Sequence, residues 1–271
     1  MQIQERRMHP YKEPGGLSPE LAAQRLRAFV ESTCHEEDNA HQSHISLKLD
    51  HSLRVWEGVQ YIAALEKVGG KTRKLAEIGA VYHDVGRFPQ YRKYRTFQDS
   101  LSENHGRLGF VTLRTKNLLQ GLPRTEARNV LRCVFMHNRP TIPLGLPRDL
   151  HAVLSLVRDA DKLDIIGVIC THLVHHGGGD QVLTLGLTDD PRRYSPRIAR
   201  QVIDQSLVNY QDMVFVNDFK LLLSSWVFGL NYSATLDLIR QRGQVQELLA
   251  SLPQDGHIAK LKEQVLTALK V

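Results

Sequence analysis

Long apolar runs are missing from this chain. The longest, Ile165 to Cys170 and Phe219 to Leu230, fall far short of the roughly 20 residues that span a bilayer. The opening MQIQERRMHP puts no apolar core behind its charges, so no secretory leader is expected there. Cysteine is scarce: Cys34, Cys133 and Cys170 leave one thiol over after any pairing and form no CxxC. A reduced, cytoplasmic protein is the simplest reading of that pattern. Several catalytic signatures are absent too. Gly177-Gly178-Gly179 is not followed by Lys and Ser or Thr, so it is no P-loop, and there is neither a GxSxG nor a credible cysteine nucleophile. Charge of one sign dominates only weakly, with 35 Lys and Arg against 29 Asp and Glu. The net +6 suits an anionic substrate but does not by itself argue for nucleic acid.

With 42% hydrophobic and 24% charged residues, the composition is that of a globular protein, neither low-complexity nor collagen-like. The pattern predicts helix nearly throughout. Ser18-Pro19-Glu20 reads as a helix start, with a capping serine and proline at the first helical position. Apolar residues at Leu49, Leu53, Val55, Trp56, Val59, Ile62 and Leu65 recur at helical spacing from Ile45 to about Val68. Further helices are expected at Thr72 to Val85, His105 to Leu119, Thr125 to Met136 and Leu150 to Leu173. Tyr91 to Asp99, aromatic, basic and poorly periodic, reads as a loop. Gln181 to Tyr194 reads as a connector with room for a short hairpin. Pro196 to Leu249 should be helical with a break near Gly229, and His257 to Leu269 forms a last helix. No repeat or composition shift marks a second domain. The expectation is therefore an N-terminal extension over residues 1–16 and one all-α unit over 17–271.

The abundant residue is histidine, 13 in all, which is both a proton-transfer group and a common metal ligand. Five predicted helices or helix ends carry a His or Asp worth following: His51 in KLDHSLRV, His83-Asp84 in AVYHDVGRF, His105 in SENHGRLGF, His137 in VFMHNRP and Asp161 in VRDADKLDII. They lie 32, 22, 32 and 24 residues apart, about one helix plus a turn each. Successive helices of a bundle can therefore point them at one centre, as bundle metal sites do. A set of imidazoles and carboxylates suits Mn²⁺, Fe²⁺ or Mg²⁺.

The local sequences carry more than the spacing. AVYHDVGRF resembles the signature of the HD-domain superfamily of metal-dependent phosphohydrolases. KLDHSLRV and RDADKLDII resemble that family's other two metal motifs, in order. NHGRLG and MHNR fall where its binuclear members supply two more histidines. The resemblance runs from about Leu47 to Ile166, and more weakly over Leu223 to Tyr232. It implies an all-α bundle of the HD-domain type with additional C-terminal helices. It also implies His51, His83, Asp84 and Asp161 as core metal ligands, with Asp84 bridging, and His105 and His137 completing a second position. Two divalent ions are implied, Mn, Fe or Mg, with Ni and Co as further options. The chain departs from the cyclic-dinucleotide subfamily, which carries a His pair where His137-Asn138 stands and a Gly-Tyr-Pro segment that this sequence lacks.

A phosphate ester would also need cations. Arg87, three residues after Asp84, is the first candidate by analogy with related enzymes, and Lys162 beside Asp161 is the second. Arg92, Lys93 and Arg95 form either a basic lid, with Tyr91 and Tyr94 stacking on a base, or a plain solvated surface. Arg54, one turn after His51, is within reach of the same pocket or of Glu57. Asp164 is placed to orient Lys162 or a water. His35, His41 and His44, with Glu36, Glu37 and Asp38, read as a flexible surface patch. The leading expectation is hydrolysis of a phosphate ester of a nucleotide or another small phosphorylated molecule, with no membrane partner and no stated oligomeric state. The alternatives are a di-iron oxygenase on the same six-ligand set, acting on a small organic substrate, and a non-catalytic nucleotide-binding signalling module.

Overall fold

Helix α1 (Pro19–Cys34) begins as its sequence dictates, with the Ser18 hydroxyl accepting from Leu21 N at 3.2 Å. The computed structural model describes residues 16–34, 39–175 and 180–270. The expected extension over 1–16 therefore lies almost wholly outside the described residues, as do residues 35–38 of the His-rich patch and the glycine triplet. The chain is all-α. After α1 come α2 (Asn39–Leu65), α3 (Gly70–Tyr82), α4 (Arg87–Tyr94), α5 (His105–Thr115), α6 (Arg124–Met136) and α7 (Arg148–Cys170). Then follow α8 (Pro196–Ile203), α9 (Val216–Ser225), α10 (Ser233–Arg242), α11 (Gln244–Ala250) and α12 (Gly256–Ala268).

Three helices make the centre of the fold. α2, α3 and α7 pack on one another through Val55, Val59 and Ile62, Leu75, Ile78 and Val81, and Val153, Leu156 and Val157, all buried. The apolar positions fall three, four or seven apart, the spacing of one helical face. Gly58 lets α2 approach α7 closely: a Cβ there would stand 3.2 Å from the Ala160 Cβ. Buried Glu77 ties α2 to α3 by accepting from Trp56 Nε1 at 3.0 Å and Arg73 Nε at 2.8 Å. α6 packs on α3 and pairs with α5, and α8 to α12 form a further layer that meets α7 through α10 and α11.

Three expectations need correction. The segment from Tyr91 is not a loop at its start, because α4 runs to Tyr94. Its apolar face is only Phe88 and Tyr91, too short to show as a period. Pro89 is tolerated because it sits in the first turn, where the N–H has no intrahelical partner. Tyr91 is 1% exposed and packs on Phe97 with ring centroids 4.7 Å apart, so it is core rather than a base-stacking platform. Residues 181–194 form no hairpin. Thr188 instead pairs in an isolated bridge with the distant Phe215, through Thr188 N to Val214 O at 2.9 Å and Val216 N to Thr188 O at 3.0 Å. The region from Pro196 is broken earlier than Gly229, at Ile203. Asp218 accepts from the backbone of Val214 and Phe215, and from Ser195, which fixes that stretch in a non-helical path.

Candidate metal centre

Each centre residue is positioned by a local feature. His51 lies on α2 with Asp161 facing it from the middle of α7. His83 and Asp84 follow the last residue of α3, where the chain turns through Gly86 into α4. His105 opens α5, held there by Asn104, whose side chain accepts from Arg107 N at 3.0 Å. His137 follows the last residue of α6. The structure brings these six predicted residues together in two groups, His51–His83–Asp161 and Asp84–His105–His137. In each, the possible ligand atoms lie within 4.8 Å of one another.

Asp84 joins the groups. Its Oδ2 lies 3.6 Å from His51 Nε2 and 3.8 Å from His83 Nε2. Its Oδ1 lies 3.5 Å from His105 Nε2 and 3.7 Å from His137 Nε2. On the far side of every ring, Nδ1 meets an acceptor: Asp164 Oδ2 for His51 at 2.7 Å, Ala80 O for His83 at 2.7 Å, Asp99 for His105 at 2.8 Å and Val134 O for His137 at 2.7 Å. Those acceptors assign the ring protons to Nδ1, leaving each Nε2 with a bare lone pair. The lone pairs then face each other, at 3.2 Å between His51 and His83 and 3.1 Å between His105 and His137. Buried Asp161 Oδ1 has no hydrogen-bond partner either. Donors arranged this way repel one another unless a cation lies among them. The residues present therefore fit divalent metal ions, with imidazoles oriented by acceptors behind them.

The charges agree. Burial alone would raise the Asp84 carboxyl, but the Lys48 ammonium and the Arg87 guanidinium beside it hold it well below the usual carboxylate range. Burial and then Arg87 lower His105 to about 3, so its ring is neutral at pH 7.

Other predicted residues lie differently. Arg87 reaches Asp84 Oδ1 at 3.5 Å but donates to Asp99 Oδ1 and Gln90 Oε1 at 2.9 Å and to Phe97 O. It braces the carboxylate behind His105 while touching the bridging one. Arg54 donates to Asp164 at 2.7 Å, not to Glu57, and Asp164 orients His51 rather than Lys162. Lys162 Nζ donates to Gly229 O at 2.9 Å instead of joining the cluster, and burial followed by Arg158 lowers its ammonium to about 8. Arg92 donates to Thr33 O and Lys93 to Glu103, while Arg95 ends α4 in the left-handed region at φ 55°. The described part of the His-rich patch is ordered against α4 and Asp180. His41 and His44 meet the Tyr91 hydroxyl at 2.9 and 2.7 Å, and His44 meets Asp180 at 2.9 Å.

Four neighbours were not anticipated. Lys48 Nζ donates to Asp84 Oδ2 at 2.9 Å; its position one turn before His51 on the same helix was the available signal. Asp99 backs His105, and Asn138 Nδ2 donates to Asp99 Oδ2 at 3.2 Å. Arg158, buried on α7, holds the chain after His137 by donating to the carbonyls of His137, at 2.7 Å, and of Arg139. No curated protein and no solved structure matches the chain significantly. Residues 49–166, which contain all six clustered side chains, match the family model of the HD domain, a match consistent with the HD-domain superfamily.

Proposed function

We propose that the protein is a metal-dependent phosphohydrolase that cleaves a phosphate ester of a nucleotide or another small phosphorylated substrate. It would work in the cytoplasm with two divalent ions, Mn, Fe or Mg, with Ni and Co as further options. One observation carries this reading: Asp84 turns one oxygen toward the His51–His83 side and the other toward the His105–His137 side. HD domains are typically metal-dependent hydrolases, which supports the same reaction class. Leu17 and Leu269 share one hydrophobic core, which supports residues 17–271 as a single catalytic unit.

When bound there, a metal pair supplies Lewis acidity to a phosphoryl group and lowers the pKa of water toward neutrality. The chain does the rest. Four Nδ1–H groups anchored on Asp164, Ala80 O, Asp99 and Val134 O fix the imidazoles with their Nε2 lone pairs converging. Lys48 and Arg87 set two cations against Asp84, with the Lys48 side chain 17% exposed. No serine or cysteine nucleophile is needed.

The deciding experiment is elemental analysis of the purified protein together with a phosphate-release screen over nucleotides and model esters, with and without added Mn²⁺. About two metal equivalents and metal-dependent release are expected. Two irons with oxygen consumption and no release would overturn the hydrolase in favour of an oxygenase. Absence of metal under every loading condition would overturn both.

A further inference from the structure

The modest net charge of the chain conceals where that charge lies. Between residues 104 and 148, eight Lys or Arg accompany a single carboxylate, Glu126. This sixth of the sequence carries more positive charge than the net +6 of the whole. The two helices in it concentrate the charge on one side. Phe110 of α5 and Phe135 of α6 meet across the seam between the helices, with ring centroids 6.0 Å apart at 70°. Arg107 and Arg114 stand three before and four after Phe110. Arg124, Arg128 and Arg132 stand eleven, seven and three before Phe135, and Arg139 four after it. Within α5 and α6 those are the offsets that share a helical face, and Arg139, past the end of α6, stacks on Phe135, so the arginines flank the seam on its solvent side.

Two of them are already stacked: Arg114 lies 5.6 Å above the Phe110 ring and Arg139 5.5 Å above the Phe135 ring. Phe135 is 38% exposed and Val111, beside Phe110, is 46% exposed. Counter-charges are few. Glu126 pairs with Lys71 at 3.6 Å and Glu103 touches Arg107 at 3.8 Å. Arg114, Arg124, Arg128 and Arg132 form no ion pair among the described residues.

We propose that this outer face of the α5–α6 pair binds single-stranded nucleic acid. Guanidinium groups pair with phosphates in bidentate fashion and offer planes on which bases stack. Phenylalanine rings beneath them add the sequence-tolerant stacking that single-strand binders use. The face does not suit a membrane, because its apolar exposure is a narrow seam hemmed by guanidiniums rather than the broad apolar stripe that enters an acyl boundary. It is also separate from the metal centre: Arg107 is offset by about 200° around α5 from His105. Its failure or success is thus distinguishable from that of the hydrolase reading.

Fluorescence anisotropy of the intact protein with a labelled DNA single strand of about 20 nucleotides tests the surface. At low salt the strand binds, and four phosphate contacts weaken binding about fiftyfold between about 50 and 200 mM salt. Arg114→Glu/Arg128→Glu, at two exposed positions, weakens it at least about tenfold and flattens the salt dependence. Arg200→Glu/Lys260→Glu, an equal charge change on α8 and α12, leaves it near the parent value. Metal content should be the same in all three proteins. Absence of binding at low salt, equal losses in both double variants, tighter binding of the annealed duplex, or retention on phosphatidylserine vesicles but not on the strand would each overturn the proposal.

Discussion

Asp84 is the residue on which both halves of the centre depend, since each half has only one of its oxygens. Asp84→Ala should therefore remove both ions, leaving far less than one metal equivalent by elemental analysis, while the helical circular dichroism persists. Retention of both ions would sink the bridging assignment. Read along the chain, Arg87→Ala should keep its metal and mainly weaken substrate binding, whereas the contacts of Arg87 add a second expectation. In the structure Arg87 holds Asp99, and Asp99 holds His105. Removing a partner behind a ligating histidine typically costs about 10- to 100-fold in metal affinity. Arg87→Ala and Asp99→Asn should thus both weaken the His105–His137 side, measured by metal titration, and leave the His51–His83 side near its parent affinity. The six clustered residues were legible because the local sequences around them resemble a family pattern, with the one-helix intervals only compatible with it. Asp99 was not, because a lone acid in a polar stretch has no period and its role depends on a fold-back from a short 3-10 turn at Asp99–Leu101 to α5 that no local pattern encodes.

Helices bring these side chains together only if their ends meet, and Gly86 is where two of them do. A Cβ on Gly86 would overlap His105 O and Gly109 N, at the start and the second turn of α5. Gly86→Ala must therefore push α5 away from the turn that carries His83 and Asp84. The expected cost is about 3 kcal/mol, the upper range for overpacking, read by urea denaturation, with loss of one metal equivalent. Wild-type stability in that variant would mean that α5 is not seated as described. The glycine's necessity could not be read from AVYHDVGRF alone, since its φ of −71° suits any residue and only the approach of α5 excludes a side chain. Long elements such as α2 and α7 were legible from their apolar period. α4 was not, for it has only two buried apolar residues to announce it, and the Thr188–Phe215 bridge was not, because its partners lie far apart in sequence.

Across the whole molecule, a buried acid is one of the ties that join the layer of α8 to α12 to the centre. Asp159, two residues before Asp161 on α7, accepts from Asn231 N at 2.9 Å, Asn231 Nδ2 at 2.7 Å, Tyr232 N at 3.0 Å and Thr235 Oγ1 at 3.1 Å. Asp159→Ala would leave those donors buried without an acceptor, at a cost of about 3 kcal/mol, measurable by the urea midpoint. Metal acts at the same scale, because its candidate ligands come from α2, α7 and the ends of α3, α5 and α6. Without cations the converging lone pairs push these elements apart, so ions that bind only the folded chain must stabilise all of it. At about a hundredfold excess over Kd that linkage is worth about 2.7 kcal/mol, and for a chain of this size each kcal/mol moves Tm by about 2–4 °C. Dialysis against a chelator should thus lower Tm by about 5–10 °C, and restoring Mn²⁺ should recover it. Asp84→Ala should show neither the fall nor the recovery. A parent Tm indifferent to the chelator, in protein shown by elemental analysis to have lost its metal, would mean that the facing imidazoles are satisfied without an ion.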